Sequence, residues 1–132
     1  MRLFTAQMAR YRQLKDSDAY LLDTTIKSGI KIFAPSWEMV MGVKNGTMSE
    51  ETYTQLYLER MRDSYRRFTP EWLALFKHEV VVAFCYCPDG CFCHRYQLAE
   101  MLGCVAKCKH LPFTYLGELK SASDITTVAL IT

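Results

Sequence analysis

The sequence lacks the features by which several classes of protein are recognised. Its longest apolar run falls far short of the ~20 residues that a membrane-spanning helix requires, and no charged-then-apolar leader opens the chain. Sixteen Lys and Arg against fourteen Asp and Glu leave a formal charge of +2, which by itself points to neither a nucleic acid nor a membrane. The chain also has no internal repeat and no low-complexity tract. We therefore expect a cytoplasmic protein that does not contact a membrane.

The sequence does contain enough apolar material for one core. Half of its 132 residues are apolar, which suits a single domain over residues 1–132. Six cysteines in a small secreted protein would indicate disulfides, but five of the six fall between residues 85 and 104. In a reducing compartment, such a group of cysteines favours metal binding, a reactive thiol or simple burial.

Apolar periodicity divides the chain into an α/β order of elements. We predict strands over residues 2–6, 19–26, 79–86 and 112–119, helices over 36–43, 49–67, 70–77 and 93–109, and a loose, Ser-rich tail over 120–132. This order favours a small, mostly parallel sheet of about four strands with helices on both faces, which is a Rossmann-like three-layer arrangement.

The most informative segment runs from a strand into a helix. Residues 79–86 have the composition of a buried strand, a Pro-Asp-Gly turn ends it, and Cys93, His94 and Arg95 begin the next helix. In open α/β sheets, ligands bind at such turns because helix N-termini offer free N–H groups there. The segment therefore predicts a functional site.

The cysteines and the histidine of this segment are candidate metal ligands. Period-two geometry puts Cys85 and Cys87 on one face of the strand, and the turn can bring Cys91, Cys93 and His94 back toward them. Tetrahedral zinc takes four Cys or His ligands, although this spacing departs from the usual Cys-x₂-Cys pairs. Zinc is therefore a candidate cofactor, and burial of Cys85 as a small core side chain is the alternative.

Some of the same residues also have a catalytic interpretation. A thiol at the start of a helix beside a histidine and an arginine is expected to have a lowered pKa, which would make Cys93 a nucleophile. His94 can move protons or can simply hydrogen-bond a backbone carbonyl. Arg95 can hold an anion together with the helix N–H groups, or can form a salt bridge with Asp89 or Asp23.

Further candidates lie outside the turn. Asp23 ends the apolar run of the second predicted strand, where a carboxylate can act as an acid or a base, and Lys27 follows four residues later. If the second and third strands are neighbours, these side chains line one cleft with the Cys-His-Arg turn. Trp37, Tyr53 and Tyr57 can wall that cleft and stack on a base, or can belong to the core.

Two other sets of residues have simpler interpretations. The arginines of the helix over 49–67 form a solvated face, with binding to an anionic partner as the alternative; they are Arg60, Arg62, Arg66 and Arg67. Cys104 and Cys108 share one face of the helix over 93–109, and we interpret them as packing residues.

Several stretches together resemble a known family, the proteins called domain of unknown function 488, and especially their short phage and prophage members. The matching stretches are Leu22-Asp23-Thr24-Thr25, Phe33-Ala34-Pro35-Ser36-Trp37, Lys44-Asn45-Gly46 with Ser49-Glu50-Glu51, Tyr53 to Tyr57, Phe84-Cys85-Tyr86-Cys87, and Phe92-Cys93-His94-Arg95 with the following Leu98-Ala99. The likeness covers residues 3–119. It implies a compact α/β domain and a ligand site built from Asp23, Cys85, Cys93, His94 and Arg95, but it supplies no reaction. Cys87 departs from the broader family, so a site that needs Cys87 is a property of the subgroup.

These observations support three hypotheses. The leading one is a small enzyme or binding domain that takes a phosphate-bearing or nucleotide-like ligand at the Cys-His-Arg turn. The second is a zinc-stabilised interaction module, encoded by a phage and directed at a host protein. The third is nucleic-acid binding through the arginine-rich helix, which the balanced charge makes the weakest of the three.

Overall fold

Four parallel strands form the central sheet of the protein, whose structure is a computed structural model that describes residues 1–87 and 92–131. The strands are β1 (Arg2–Gln7), β2 (Tyr20–Asp23), β3 (Val80–Cys85) and β4 (Thr114–Leu119). They lie in the order β2-β3-β1-β4, and every pair is parallel. The predicted α/β class with a parallel sheet of about four strands is confirmed.

Helices cover both faces of this sheet, as the sequence predicts. They are α1 (Tyr11–Leu14), which follows a 3₁₀ turn (Met8–Arg10), then α2 (Trp37–Lys44), α3 (Glu50–Arg67), α4 (Thr69–Leu75), α5 (His94–Lys109) and α6 (Ala122–Ile131). Buried side chains of α2, α3, α4 and α5 share one core cluster, and those of α1 and α6 belong to the other. None of the described helices is both long enough and apolar enough to cross a membrane.

The composition of β3 follows from its place in the sheet. β3 lies between β2 and β1, and all six of its residues are buried. Val81 and Ala83 point into one core cluster, whereas Val82 and Phe84 point into the other. A strand that is covered on both faces needs apolar residues at every position, which is why residues 80–85 form an unbroken apolar run.

Helix α3 forms as its sequence predicts. Ser49 is the N-cap and its hydroxyl oxygen accepts a hydrogen bond from the backbone N–H of Thr52. Tyr53, Tyr57 and Met61 recur at helical spacing and are buried against the sheet. This packing brings Tyr53 and Tyr57 under the carboxyl end of the sheet.

The C-terminal segment differs from the expectation of a loose tail over 120–132, because α6 occupies most of it. A carboxylate oxygen of Asp124 accepts hydrogen bonds from the backbone N–H groups of Lys120 and Ser121, which organises the start of the helix. Val128 is then buried in the core cluster that contains Phe4 and Phe84. The serines therefore belong to a helix start rather than to irregular chain.

The strand order determines where the site lies. β2 and β3 are neighbours, so their carboxyl ends meet at one edge of the sheet. The backbone N–H of Thr24 donates to the carbonyl of Phe84 at 3.1 Å and continues this pairing past the end of β2. β4 pairs with β1 and not with β3, so α5 crosses over β1 on its way from β3 to β4.

Ser64 couples three parts of the core, and its removal should be costly. Its hydroxyl donates to the carbonyl of Ile32 at 2.7 Å and accepts from the indole N–H of Trp72 at 3.0 Å. Ser64→Ala leaves both buried partners without this bond, so we expect the free energy of unfolding to fall by about 2 kcal/mol. Urea denaturation followed by tryptophan fluorescence measures this change, with Ser123→Ala at an exposed position as the control. An unfolding curve for Ser64→Ala that overlays the wild-type curve would contradict the prediction.

Candidate functional site

Four side chains meet at the carboxyl edge of the sheet, and we call Cys85, Cys87, Cys93 and His94 the thiol–histidine cluster. Cys85 is the last residue of β3 and Cys87 follows two positions later. Cys93 is the N-cap of α5 and His94 is the first residue of that helix. The strand end and the helix start thus supply the cluster from a short stretch of chain.

The distances within the cluster are short. The Sγ atoms of Cys85 and Cys87 lie 3.8 Å apart, and Nδ1 of His94 lies 3.8 Å from Sγ of Cys85 and 3.8 Å from Sγ of Cys93. The donor atoms of Cys85, Cys93 and His94 all lie within 4.8 Å of one another, and all three residues are buried. Such a group of soft donor atoms can hold a metal ion.

The hydrogen bonds of His94 decide which ring nitrogen faces the thiols. Nε2 lies 3.0 Å from the carbonyl oxygen of Thr24 and 2.9 Å from the Thr24 hydroxyl. A carbonyl oxygen only accepts, and the Thr24 hydroxyl already donates to the carbonyl of Phe84, so the proton resides on Nε2. Nδ1 therefore turns an unprotonated lone pair toward Cys85 and Cys93. Burial also lowers the pKa of His94 to about 4, which keeps the ring neutral.

The three thiols do not share the same electrostatics. The thiol of Cys85 donates to Sγ of Cys87, and this bond raises the pKa of Cys85 to about 11. Hydrogen bonds with the other two thiols, together with burial, raise the pKa of Cys93 as well. The same hydrogen bonds lower the pKa of Cys87, and the charge of Arg95 acts in the same direction. Among the three thiols, Cys87 is therefore the one whose ionisation the surroundings favour.

This result corrects the expectation for Cys93. The sequence predicts a thiol in the first turn of α5 with a lowered pKa, but Cys93 precedes the helix as its N-cap and is only 3% exposed. Its pKa is raised because it is enclosed by two other thiols, a feature that helix position alone does not reveal. Cys87, which is half-buried, is the more accessible thiol of the two.

A pocket of about 480 Å³ opens above the cluster. Its walls come mainly from apolar and aromatic side chains, and the exposed residues Lys27 and Lys44 lie on it as well. Trp37 and Tyr86 also line the pocket while being 54% and 63% exposed. The lining residues are Thr25, Ile26, Lys27, Pro35, Trp37, Val40, Val43, Lys44, Tyr53, Cys85, Tyr86, Cys87, Phe92, Cys93 and His94.

The structure brings only some of the other predicted residues to this pocket. Lys27, Trp37 and Tyr53 line it, as expected for a cleft between β2 and β3. Tyr57 lies beneath it, where its hydroxyl donates to the carbonyl of Phe33 and its ring packs at 5.4 Å from the ring of His94. It supports the cluster from within the core.

Asp23 lies at the predicted strand end but organises the chain that follows. Its Oδ1 accepts from the backbone N–H and the hydroxyl of Thr25, and its Oδ2 accepts from the hydroxyl of Ser28 at 2.5 Å. These bonds form a tight turn after β2. Gly29 fits this turn because a side chain there would collide with backbone atoms of Asp23 and Thr25.

Arg95 pairs with a described residue that the sequence analysis does not suggest. Its guanidinium makes a bidentate contact with Glu118 on β4, at 3.1 Å for Nε to Oε1 and 2.5 Å for Nη2 to Oε2. Asp23 is occupied by its own turn, and Asp89 and Cys91 lie outside the described residues. Arg95 is fully buried and is not among the residues that line the pocket, so its expected role in holding an anion stays a prediction.

The remaining sequence expectations concern surface residues. Cys104 and Cys108 are exposed and do not pack, because the buried stripe of α5 runs through Leu98, Leu102 and Val105 on another face. In α3, Arg67 forms an exposed ion pair with Asp63. Nucleic-acid binding by the arginines of α3 stays a prediction.

The pocket and the contacts behind it also involve residues that the sequence analysis does not single out as functional. Lys44 ends α2 beside the Asn-Gly turn, and Glu118 lies in β4. The contact between Glu118 and Arg95 joins residues that are 23 positions apart. The sequence indicates a functional position for Thr24 only weakly, through its place directly after the last residue of an apolar strand.

The family assignment follows from a comparison with known protein families. A family model described as the active DUF488-N3 subclade matches residues 2–104. The chain belongs to this DUF488 subclade. The match spans the first three strands, the pocket and most of α5, so it confirms the family resemblance. The chain matches none of the curated proteins and none of the solved structures.

The ion pair between Arg95 and Glu118 should make the stability depend on pH. Burial alone would raise the pKa of Glu118, but hydrogen bonds from Arg95 and Tyr96 outweigh burial and lower it. A lowered carboxyl pKa means that the pair stabilises the folded state above the unfolded-state pKa, and that this contribution is lost as the pH falls through the folded-state pKa.

We therefore expect Glu118→Gln to lower the free energy of unfolding by about 3 kcal/mol near neutral pH. The gap between wild type and variant should narrow as the pH falls below the unfolded-state pKa of about 4.3. Urea denaturation at several pH values measures both effects. A gap that stays constant with pH would contradict the assignment.

Proposed function

We propose that the pocket binds a small phosphate-bearing or nucleotide-like ligand, with the thiol–histidine cluster at its inner end. The observation that carries this proposal is the charge of the lining: among the described residues that line the pocket, Lys27 and Lys44 are the cationic side chains, and no carboxylate lies beside them. Two cations on an apolar pocket attract an anionic group, since the low-dielectric walls strengthen the field.

The apolar walls suit a planar ring. Trp37 is the first residue of α2 and Tyr86 directly follows β3, and both expose large aromatic surfaces at the pocket. Phe92 and Tyr53 add two further rings, which contact each other edge to face at 5.2 Å. Aromatic side chains bind flat ring systems by stacking, and a nucleobase is one such ring. A ring joined to a phosphate therefore matches both features of the pocket.

The position of the cluster supports an enzymatic version of this proposal. His94 offers a neutral imidazole whose Nδ1 can accept a proton, and Cys87 offers the most accessible thiol of the cluster. The description of the subclade as active is consistent with chemistry at this place. Asp23 and Cys93 are the other catalytic candidates from the sequence, and neither would react directly. Asp23 would act by organising the turn after β2, and Cys93 would act by its contacts within the cluster.

The two lysines provide the test. We expect phosphate-bearing compounds such as AMP, ADP and NAD to raise the melting temperature, and adenosine to raise it less, because adenosine lacks the anionic group. The double variant Lys27→Ala/Lys44→Ala should weaken binding of the best compound by about tenfold or more, since charge-assisted contacts are lost. Titration calorimetry measures the affinity.

Lys77→Ala/Lys107→Ala is the matched control, because these lysines are exposed and do not line the pocket. The control variant should bind like wild type. Equal binding of adenosine and AMP, or equal losses in the two double variants, would contradict the proposed role of the lysines.

A second candidate function is zinc binding by the thiol–histidine cluster, and a specific geometric observation favours it. Tetrahedral zinc with Zn–S bonds of about 2.3 Å places its sulfur ligands about 3.8 Å apart. The Sγ atoms of Cys85 and Cys87 lie at 3.8 Å, and the free lone pair of His94 faces Cys85 and Cys93. The bond from Nε2 to Thr24 is the outer support that a ligating histidine usually has.

Metal content tests this second function. Reduced protein supplied with zinc should retain about one equivalent after desalting, as measured by elemental mass spectrometry. Cys85→Ser should abolish retention, whereas Cys108→Ser, which alters an exposed thiol, should not. Chelation should lower the melting temperature, because metal binding contributes to folding. Wild-type protein that retains no zinc would exclude the site.

A further inference from the structure

A buried ion pair lies behind the thiol–histidine cluster. The side chains of Arg95 and Glu118 are 0% and 6% exposed and are joined by two parallel hydrogen bonds. The hydroxyl of Tyr96 donates to Oε2 of Glu118 at 2.7 Å and also accepts from Arg95. Burying two charges is costly unless their hydrogen bonds are well formed, and the guanidinium and carboxylate of this pair make such bonds with each other and with Tyr96.

The pair reaches the cluster through the backbone. Nη1 of Arg95 donates to the carbonyl oxygen of Cys87 at 3.0 Å. Cys87 lies two residues past the end of β3, where the sheet no longer holds the chain. The contact from Arg95 therefore fixes the chain at the point where the third thiol of the cluster is placed.

The shape of the guanidinium makes this arrangement directional. Its donors lie in one plane, so the bidentate contact with Glu118 through Nε and Nη2 sets the direction of Nη1. A contact between Glu118 and only one guanidinium nitrogen would not fix the direction of Nη1. β4 is thus linked to the cluster by way of α5, although β4 itself does not line the pocket.

We propose that Glu118 is a positioning residue, which orients Arg95 and thereby holds Cys87 beside Cys85. The contribution of this position of Cys87 to binding a ligand or zinc rests on the proposed function. The position itself does not, because it concerns only contacts within the chain.

The accessibility of the individual thiols tests the proposal. Reduced, metal-free protein is alkylated with iodoacetamide, and the rates at Cys85, Cys87 and Cys93 are measured by mass spectrometry of peptides. We expect Glu118→Gln to raise the rate at Cys87 by about tenfold relative to the rate at Cys85, because the released carbonyl lets Cys87 move toward solvent. Asp63→Asn, which removes the exposed ion pair with Arg67, should leave this ratio unchanged.

Cys85 and Cys93 serve as internal references, because both are buried and react when the domain opens. Equal acceleration at all three thiols would show that Glu118 only stabilises the fold, and it would overturn the proposal. An unchanged rate at Cys87 would overturn it as well. If Glu118→Gln does not fold, Tyr96→Phe removes one bond to the same carboxylate, and it should raise the ratio by about threefold.

The outcome is separable from that of the proposed function. The alkylation needs neither a bound ligand nor zinc. A selective change at Cys87 in a protein that binds neither nucleotides nor zinc would support the positioning role and exclude the proposed function. Binding of a nucleotide or zinc that is unaffected by Glu118→Gln, together with unchanged alkylation at Cys87, would support the proposed function and overturn the positioning role.

Discussion

Nε2 of His94 lies 3.0 Å from the carbonyl oxygen of Thr24, and this contact determines the chemistry of the cluster. It joins the start of α5 to the chain that leaves β2, across the end of β3. Because Thr24 is itself bonded to the carbonyl of Phe84 through both its backbone N–H and its hydroxyl, the acceptor cannot easily shift. The ring is thereby held in one tautomer, with Nδ1 aimed at two sulfurs. A proton acceptor or a metal ligand needs this orientation.

The buried charges on the other side of the cluster impose a second constraint. Arg95 and Glu118 neutralise each other, and Tyr96 satisfies part of the carboxylate. The pair stabilises little by itself relative to an apolar replacement, because desolvation offsets most of its Coulomb energy. The pair contributes orientation instead. Because the planar guanidinium of Arg95 is bound to Glu118 on β4, its remaining donor fixes the position of the chain after β3. The polar contacts behind the pocket therefore explain why a loop position such as Cys87 is held in a compact cluster.

Much of the fold is predictable from local sequence, and much of the site is not. The apolar run from Val80 to Cys85 predicts β3, because a strand that is buried on both faces has apolar residues at every position. The helical spacing of Tyr53, Tyr57 and Met61 predicts α3, because the buried face of a helix repeats its apolar residues every three or four positions. The partner of Arg95 is not predictable in this way, since Glu118 lies on a strand whose place beside β1 depends on the topology. The raised pKa of Cys93 likewise depends on which thiols surround it, and the sequence alone suggests the opposite direction.

The charges of the cluster and of the lysines would also determine the orientation of the proposed anionic ligand. In the metal-free cluster, the surroundings lower the pKa of Cys87 and raise those of Cys85 and Cys93, which favours a thiolate at Cys87 over one at the other two. With zinc bound by three thiolates and a neutral imidazole, the divalent ion would leave the same sign of net charge. With a thiolate or with bound zinc, the inner end of the pocket would repel the anionic group of the proposed ligand, and the exposed Lys27 and Lys44 would attract it. The proposed ligand would thus turn its uncharged end toward the thiols and Nδ1 of His94, and a reaction at this site would take place on that end and not at the phosphate.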